Sequence, residues 1–270
     1  MFTLILLSLF NCHAKGHKIA LTIDDLPFVG HKKNFHLNMI IAALKDNGIP
    51  ATGFIIAGEI EHNNWVTLKK FHDAGFSLGN HTVSHADLNK LNIEAFIEEI
   101  ELADQLLQPV LTKPKYFRFP YMASSKGEKL DKVIAYLKTQ HYKVAPITID
   151  SQDFLFNKQL VSKPKEERQA YLTENLKSKY LDFIWQQTLK AVAKNCRAHN
   201  PNKAQILLIH ANLINAYTLP DIIKLYQEHG FTFVSLEQAL KTFRDHIIVV
   251  ADPDKVNRSR NKVLDKDWEI

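Results

Sequence analysis

Two rhythms of hydrophobic and polar positions alternate along this chain. Short aliphatic or β-branched runs, "KIALTID" (18–24), "ATGFIIAG" (51–58), "FSLGN" (76–80), "YKVAPITID" (142–150) and "QILLIH" (205–210), read as strands. Between them lie stretches of helical period: 36–48 closed by Gly48, 65–75, 93–111, 128–140 and a helix from about Pro220 to His229. In the longest, Ile93, Phe96, Ile97, Ile100, Leu106 and Leu107 form one apolar face. Residues 155–203 break the alternation, being polar and helix-prone with no intervening strand. The rhythm resumes at "QILLIH" and ends with "FTFVSLEQAL" (231–240). Strand–helix alternation with short loops predicts a parallel sheet covered by helices, of a kind that can close into a barrel.

The remaining composition narrows the class. With 270 residues, 46% hydrophobic and 23% charged, the chain has the makeup of an ordinary folded protein. Its net charge of +5 suits anionic surroundings such as a cell wall. No dense Lys/Arg stripe with interleaved aromatics is present, which argues against a nucleic-acid module. The first fourteen residues, "MFTLILLSLFNCHA", contain no Lys, Arg, Asp or Glu. Their apolar run, Phe2 to Phe10, is too short to span a bilayer and reads as a signal-peptide core. The expectation is therefore an exported protein, periplasmic or extracellular, whose mature chain starts at Lys15 and does not insert stably in a membrane. Lipid anchoring at Cys12 is a minor alternative, disfavoured by Asn11. Removal of Cys12 would leave Cys196 without an internal disulfide partner. At the other end, residues 246–270 form a separate extension, a β-branched run followed by a charged tail.

Polar chemistry collects at the ends of the strands, which is where functional residues sit in barrels and open parallel sheets alike. "LTIDDLP" (21–27) ends in Asp24-Asp25. Side chains alternate along a strand, so both carboxylates can face one way only if the strand has ended there; a solvated turn is the plain alternative. "HTVSH" brings His81 and His85, "KYFRFPY" brings Arg118, Pro120 and Tyr121, "DSQD" brings Asp150 and Asp153, and "LIH" brings His210. Histidines four apart suit chelation of one metal ion, although with 13 histidines some such pairs, His13 and His17 among them, fall at that spacing by chance. An Asp from another strand would complete three protein ligands and leave an open coordination position.

"TIDDLP", "HTVSH", "RFPY", "DSQDF" and "LIH" resemble, in order and approximate spacing, the five motifs of the polysaccharide deacetylases (carbohydrate esterase family 4, the NodB-homology domain). The resemblance runs from about His17 to Leu240. It implies an α/β fold, an incomplete or distorted (β/α) barrel over residues 15–245, with 155–203 as a helical insertion between the fourth and fifth motifs. It implies removal of acetyl groups from an N-acetylated glycan by a divalent metal ion, Zn²⁺ first, with Co²⁺ or Ni²⁺ accepted by the same donors. Asp25, His81 and His85 would hold the metal. Asp24 would be the general base and His210 the general acid. Arg118 would orient the base, Asp153 would tune His210, and the Tyr121 backbone N–H would stabilise the oxyanion. Phe154, Leu208 and Pro120 would contact substrate.

Three positions depart from that pattern. Leu26 stands where Gly is usual and is expected to add bulk beside the base; Met122 also replaces a common Gly, and Phe154 a common Trp. The insertion reads either as a groove wall offering Tyr180 and Trp185 to sugars or as a helical outcrop packed through Phe183, Ile184 and Leu189. Other readings of the site are a deacylase of a small amide and a glycan-binding pseudo-enzyme.

Overall fold

The computed structural model describes residues 16–122 and 127–243. Eight strands form one sheet: β1 (Lys18–Leu26), β2 (Ala51–Ile55), β3 (Ser77–Asn80), β4 (Lys115–Phe117), β5 (Tyr142–Val144), β6 (Ile149–Asp150), β7 (Gln205–His210) and β8 (Thr232–Phe233). Their order is β5-β4-β3-β2-β1-β7-β6, every pairing is parallel, and β8 pairs with the start of β1. The expected continuous strand 142–150 is therefore two strands on opposite edges of the sheet. Pro146 is the reason, since it lacks an N–H to donate to a ladder. Only residues 145–148 join those edges, a reach of roughly 17 Å even when extended. The sheet must curl until its edges approach, which produces a distorted, incomplete (β/α) barrel.

Alternation along β1 explains both cores. Ile19, Leu21 and Ile23 point outward into the main core with Leu37, Ile40 and Leu44 of α1 (Lys33–Asp46) and Ile222 and Ile223 of α8 (Leu213–Glu228). Ala20 points inward, where the narrow barrel is filled by Phe54, Tyr116, Ala145 and Ile206. Thr22 and Asp24 continue that inward face toward the rim. Around the barrel lie α2 (Asn64–Asp73), α3 (Ile93–Leu107), α4 (Glu128–Thr139) and α9 (Leu236–Leu240).

The break in rhythm is helical, as expected: α5 (Asp153–Val161), α6 (Arg168–Tyr171), a π-helical turn (Leu172–Leu176) and α7 (Lys177–Arg197). Tyr180 is fully buried and donates to Asn215 Oδ1 at 2.7 Å. Trp185 packs at a tilt against His229, ring centroids 3.8 Å apart, and edge-on to Phe231. Both rings are committed to packing, so they are not a sugar platform. Leu26 is also fully buried, packed so closely on Gly53 that a Cβ there would lie 2.2 Å from Leu26 Cδ1, and it does not line the cavity. It adds no bulk to the site.

α8 starts seven residues before the expected position. Asn212 caps it by accepting from Asn215 N (3.2 Å), and burial of Ile214, Leu219 and Ile222 carries the helix past Pro220. Cys196 is disulfide-bonded, whereas loss of Cys12 with a leader would leave it no partner in the chain. The leader (1–14), Cys12 and the extension 246–270 lie outside the described residues. Among the described residues no helix is long and apolar enough to cross a membrane.

Candidate active site

The paired aspartates face one site because β1 bulges rather than ends. Asp24 stays in register with His210 of β7, while the register with β2 shifts between Ile23 and Leu26. Asp25 takes a left-handed backbone (φ 61°), which turns its side chain toward the rim beside that of Asp24. His85 (φ 58°) and Tyr121 (φ 55°) share this sparsely populated conformation, a concentration of backbone strain typical of functional sites.

Asp25, His81 and His85 come together with one ligand atom each within 4.8 Å of the others. Asp25 Oδ1 lies 3.6 Å from His81 Nε2 and 3.4 Å from His85 Nε2. That oxygen is buried and has no hydrogen-bond partner, a costly state for a carboxylate unless a cation meets it. His81 Nδ1 lies 2.8 Å from the Arg118 carbonyl, so it carries the proton and leaves the Nε2 lone pair facing Asp25. Burial pushes His81 down to about 3 against the pull of Asp25, and burial lowers His85 as well. Two neutral imidazoles and a carboxylate with an unused oxygen fit a divalent cation of borderline softness.

Asp24 is held from behind. Arg118, in the barrel interior after β4, donates through one Nη to Asp24 Oδ1 and to Thr22 Oγ1, both at 2.7 Å. Its other nitrogens reach the carbonyls of Ala145 and Pro146 (3.3 Å each), and the guanidinium sits 4.4 Å from the centre of the Phe54 ring. Burial raises Asp24, outweighing the opposing pull of Arg118 and His210. A carboxylate fixed by a cation yet raised by burial has the properties of a general base.

Across the site, His210 Nδ1 lies 2.6 Å from Asp153 Oδ1. Asp153 Oδ2 accepts from the His210 backbone N–H (2.6 Å), from Asn212 Nδ2 (3.0 Å) and from Asn215 Nδ2. Burial alone would lower His210, but the Asp153 carboxylate overrides it and raises the imidazole to about 10. Burial likewise opposes ionisation of Asp153, and His210 nevertheless holds it below the usual carboxylate range. His210 is thus a protonated imidazole at neutral pH.

These groups border one cavity of about 410 Å³, lined by Asp24, Asp25, His81, His85 and His210 and walled by Tyr121, Met122, Phe154 and Leu208. Arg118 and Asp153 lie behind it, and Pro120 is buried and does not line it. The Phe154 ring stands edge-on to His210. Sequence reasoning missed Thr22, Asn212 and Asn215. Thr22 could have been found two residues before Asp24 on the same strand face, and Asn212 and Asn215 from the N-cap spacing after "LIH".

Comparisons with known proteins bear on the family and the fold. Residues 13–145 match the family model described as polysaccharide deacetylase. A chitin deacetylase of Arthroderma benhamiae is 34% identical over 149 residues, 53% of this chain and 37% of that protein. A peptidoglycan-N-acetylglucosamine deacetylase of Bacillus cereus is 28% identical over 138 residues, 51% of this chain and 46% of that protein. The match thus spans less than half the length of either relative. A family 4 carbohydrate esterase from Streptomyces lividans, solved in complex with acetate, shares the fold with a TM-score of 0.56 at 23% identity over 84% of this chain and 97% of that one. On its motifs and the family-model match, the segment 13–145 belongs to the polysaccharide deacetylase family, and the solved esterase shares its fold over 84% of the chain.

Proposed function

We propose that this protein is an exported, metal-dependent hydrolase that removes N-acetyl groups from a glycan of the chitin or peptidoglycan kind. The observation that carries this reading is the convergence around one cavity of an unsatisfied Asp25 oxygen flanked by two imidazoles, an arginine-held Asp24 and a protonated His210. The catalytic domain is assigned to residues 15–245, after a leader at 1–14.

Amide hydrolysis sets two demands, since the carbonyl needs polarising and the amine is a poor leaving group. A divalent cation held by Asp25, His81 and His85, Zn²⁺ before Co²⁺ or Ni²⁺, would supply Lewis-acid polarisation and acidify water. Asp24, oriented by Arg118, whose guanidinium Thr22 also holds, accepts the proton of the attacking water. His210, held by Asp153, delivers a proton to the departing amine nitrogen. The Tyr121 backbone N–H would donate to the developing oxyanion. Phe154 and Leu208 flank the space for the acetyl methyl, although Phe154 offers no indole N–H to the substrate.

The test is acetate release from N-acetylated glycans by zinc-loaded protein, with Asp24→Ala and a chelated sample alongside. Release abolished in both controls is the expected result. Stoichiometric metal binding with no release from any glycan would overturn the glycan assignment, and absence of metal binding would overturn the catalytic reading altogether.

A further inference from the structure

A second cavity, of about 370 Å³, lies on the same rim of the barrel and has no part in the chemistry above. Its walls are the β1–α1 loop with the first turn of α1, the end of α5 with the segment leading into α6, and the start of α8. Each wall continues into the active-site cavity. Val29, Val161 and Asn212 line the catalytic side, and His31, Leu160 and Leu213, one or two residues away in sequence, line the other. The two cavities therefore stand on either side of a shared partition, as adjoining subsites of one groove would.

Its lining has two features that seldom coincide in a solvated surface. The first is charge of one sign. Lys32, Lys165 and Arg168 contribute three permanent cations, and no carboxylate lines the cavity among the described residues. Glu59 and Glu61 are engaged with Lys33, while Glu166 and Glu167 are exposed and do not line it. The first turn of α1 adds to the positive field, since it carries no acidic residue and no side-chain cap. Lys32 depresses the neighbouring His36 further after burial has lowered it, which reports the same field.

The second feature is exposed aromatic surface. Phe35 is 59% exposed and Tyr217 39% exposed, and the buried His36 ring lies between them, with centroids 5.3 and 6.3 Å away. Flat exposed rings are the usual platform for the apolar face of a pyranose, and large exposed apolar groups concentrated at one cleft mark a binding site. The cleft is also shaped by the part of the chain that interrupts the strand–helix rhythm. Leu172, which lines it, opens the π-helical turn, a distortion often found at functional sites.

We propose that this cleft is a second subsite that binds a carboxylate-bearing sugar of the same glycan, the ring on Phe35 and Tyr217 and the carboxylate toward Lys32 and Lys165. It makes the protein selective for acidic N-acetylated glycans, such as strands carrying lactyl ethers, over neutral ones. The assignment rests on the glycan reading of the neighbouring site.

The test measures binding as well as turnover. Zinc-loaded full-length protein is titrated with two tetrasaccharides, neutral chitotetraose and a peptide-free tetrasaccharide of alternating N-acetylglucosamine and lactyl-ether-bearing N-acetylmuramic acid. The acidic glycan is expected to bind more tightly at low salt, and its advantage to shrink in 0.5 M NaCl. In the double variant Lys32→Gln/Lys165→Gln the acidic-to-neutral affinity ratio should fall about fivefold, the worth of two exposed charge contacts. Arg168 is left intact because it donates to the Val161 and Lys163 carbonyls and shapes the wall. A ratio near one in the wild type, or a ratio the double variant does not change, would overturn the proposal, as would absence of binding by either glycan. Acetate release from both glycans with no charge dependence would overturn the subsite and leave the deacetylase reading intact. Charge-dependent binding without acetate release would do the reverse.

Discussion

The two halves of the active site are built on opposite principles. On the Asp153 side both carboxylate oxygens are satisfied. One carboxylate accepts from the imidazole and backbone of His210 and from two asparagine side chains, and the ion pair is complete within the protein. On the Asp25 side a buried carboxylate oxygen has no partner, and the two nearby imidazoles are driven toward neutrality by burial. Low dielectric makes satisfied networks rigid and unsatisfied ones costly, so the second arrangement is explicable as one that a bound cation completes. The contrast separates a half that holds a proton from a half whose donors suit a cation.

Breaking the unsatisfied half should have the largest effect on function. Chelation, or His81→Ala, is expected to lower acetate release by at least about 100-fold, the upper end for changes just outside a metal's ligand set. Equilibrium dialysis against Zn²⁺ checks the cause, since the variant should lose stoichiometric binding. The metal-free protein should show the converse. Asp25→Asn ought to leave its urea stability within about 1 kcal/mol or raise it slightly, because the orphaned oxygen contributes no hydrogen bond to lose. A large destabilisation of the metal-free form by Asp25→Asn would show that the carboxylate is structural.

Breaking the satisfied half should act on stability first. Asp153→Asn removes one partner of a buried ion pair and leaves a cation short of its counter-charge, at a cost of about 3 kcal/mol, the low end for such pairs because His210 is one-fifth exposed. The pH dependence has a definite sign. His210 is raised from 6.5 to about 10, so its contribution is complete below 6.5 and is lost as pH rises through 10. Asp153 is lowered, so its contribution is present above 3.8 and is lost as pH falls through its depressed value. Urea unfolding at pH 7, 9 and 10.5 should show the wild type losing stability on the alkaline side and Asp153→Asn losing little there. Parallel slopes for the two proteins would remove the pair from the explanation.

Much of this was legible in the sequence, and what was not has identifiable physical causes. Strand runs and their polar ends could be read because a strand buried on both faces is a continuous aliphatic run, and Asp24, His81, Arg118, Asp153 and His210 interrupt such runs at the same end. The bulge at Asp25 could not be read, because it exists only as a mismatch between the registers of β1 with β2 and with β7. Pro146 marked the division of 142–150, but where the two halves pair depends on curvature of the whole sheet. Pro220 reads as a helix start, whereas the Asn212 cap and buried Ile214 and Leu219 set the true start. Tyr180 and Trp185 have the composition of a sugar platform, and only their neighbours show that both rings are packed.

The smallest expected effect tests how far the satisfied half extends. The Tyr180 hydroxyl donates to Asn215 Oδ1, and Asn215 in turn donates to Asp153, so a helix of the insertion is linked to His210 through three buried side chains. Tyr180→Phe removes one hydrogen bond and no ring packing, which should cost about 1 kcal/mol of stability, somewhat more where the Asn215 oxygen stays unsatisfied. If Tyr180 only anchors the insertion, the pH profile of acetate release stays fixed while stability falls. If the link also orients Asp153, the alkaline limb set by His210 shifts to lower pH, and Asn215→Ala shifts it further in the same direction. The second outcome is expected, because Asn215 uses its amide on both Asp153 and the His210 carbonyl. Loosening its oxygen-side anchor therefore disturbs both partners of the ion pair at once, a change that simple loss of helix packing cannot reproduce.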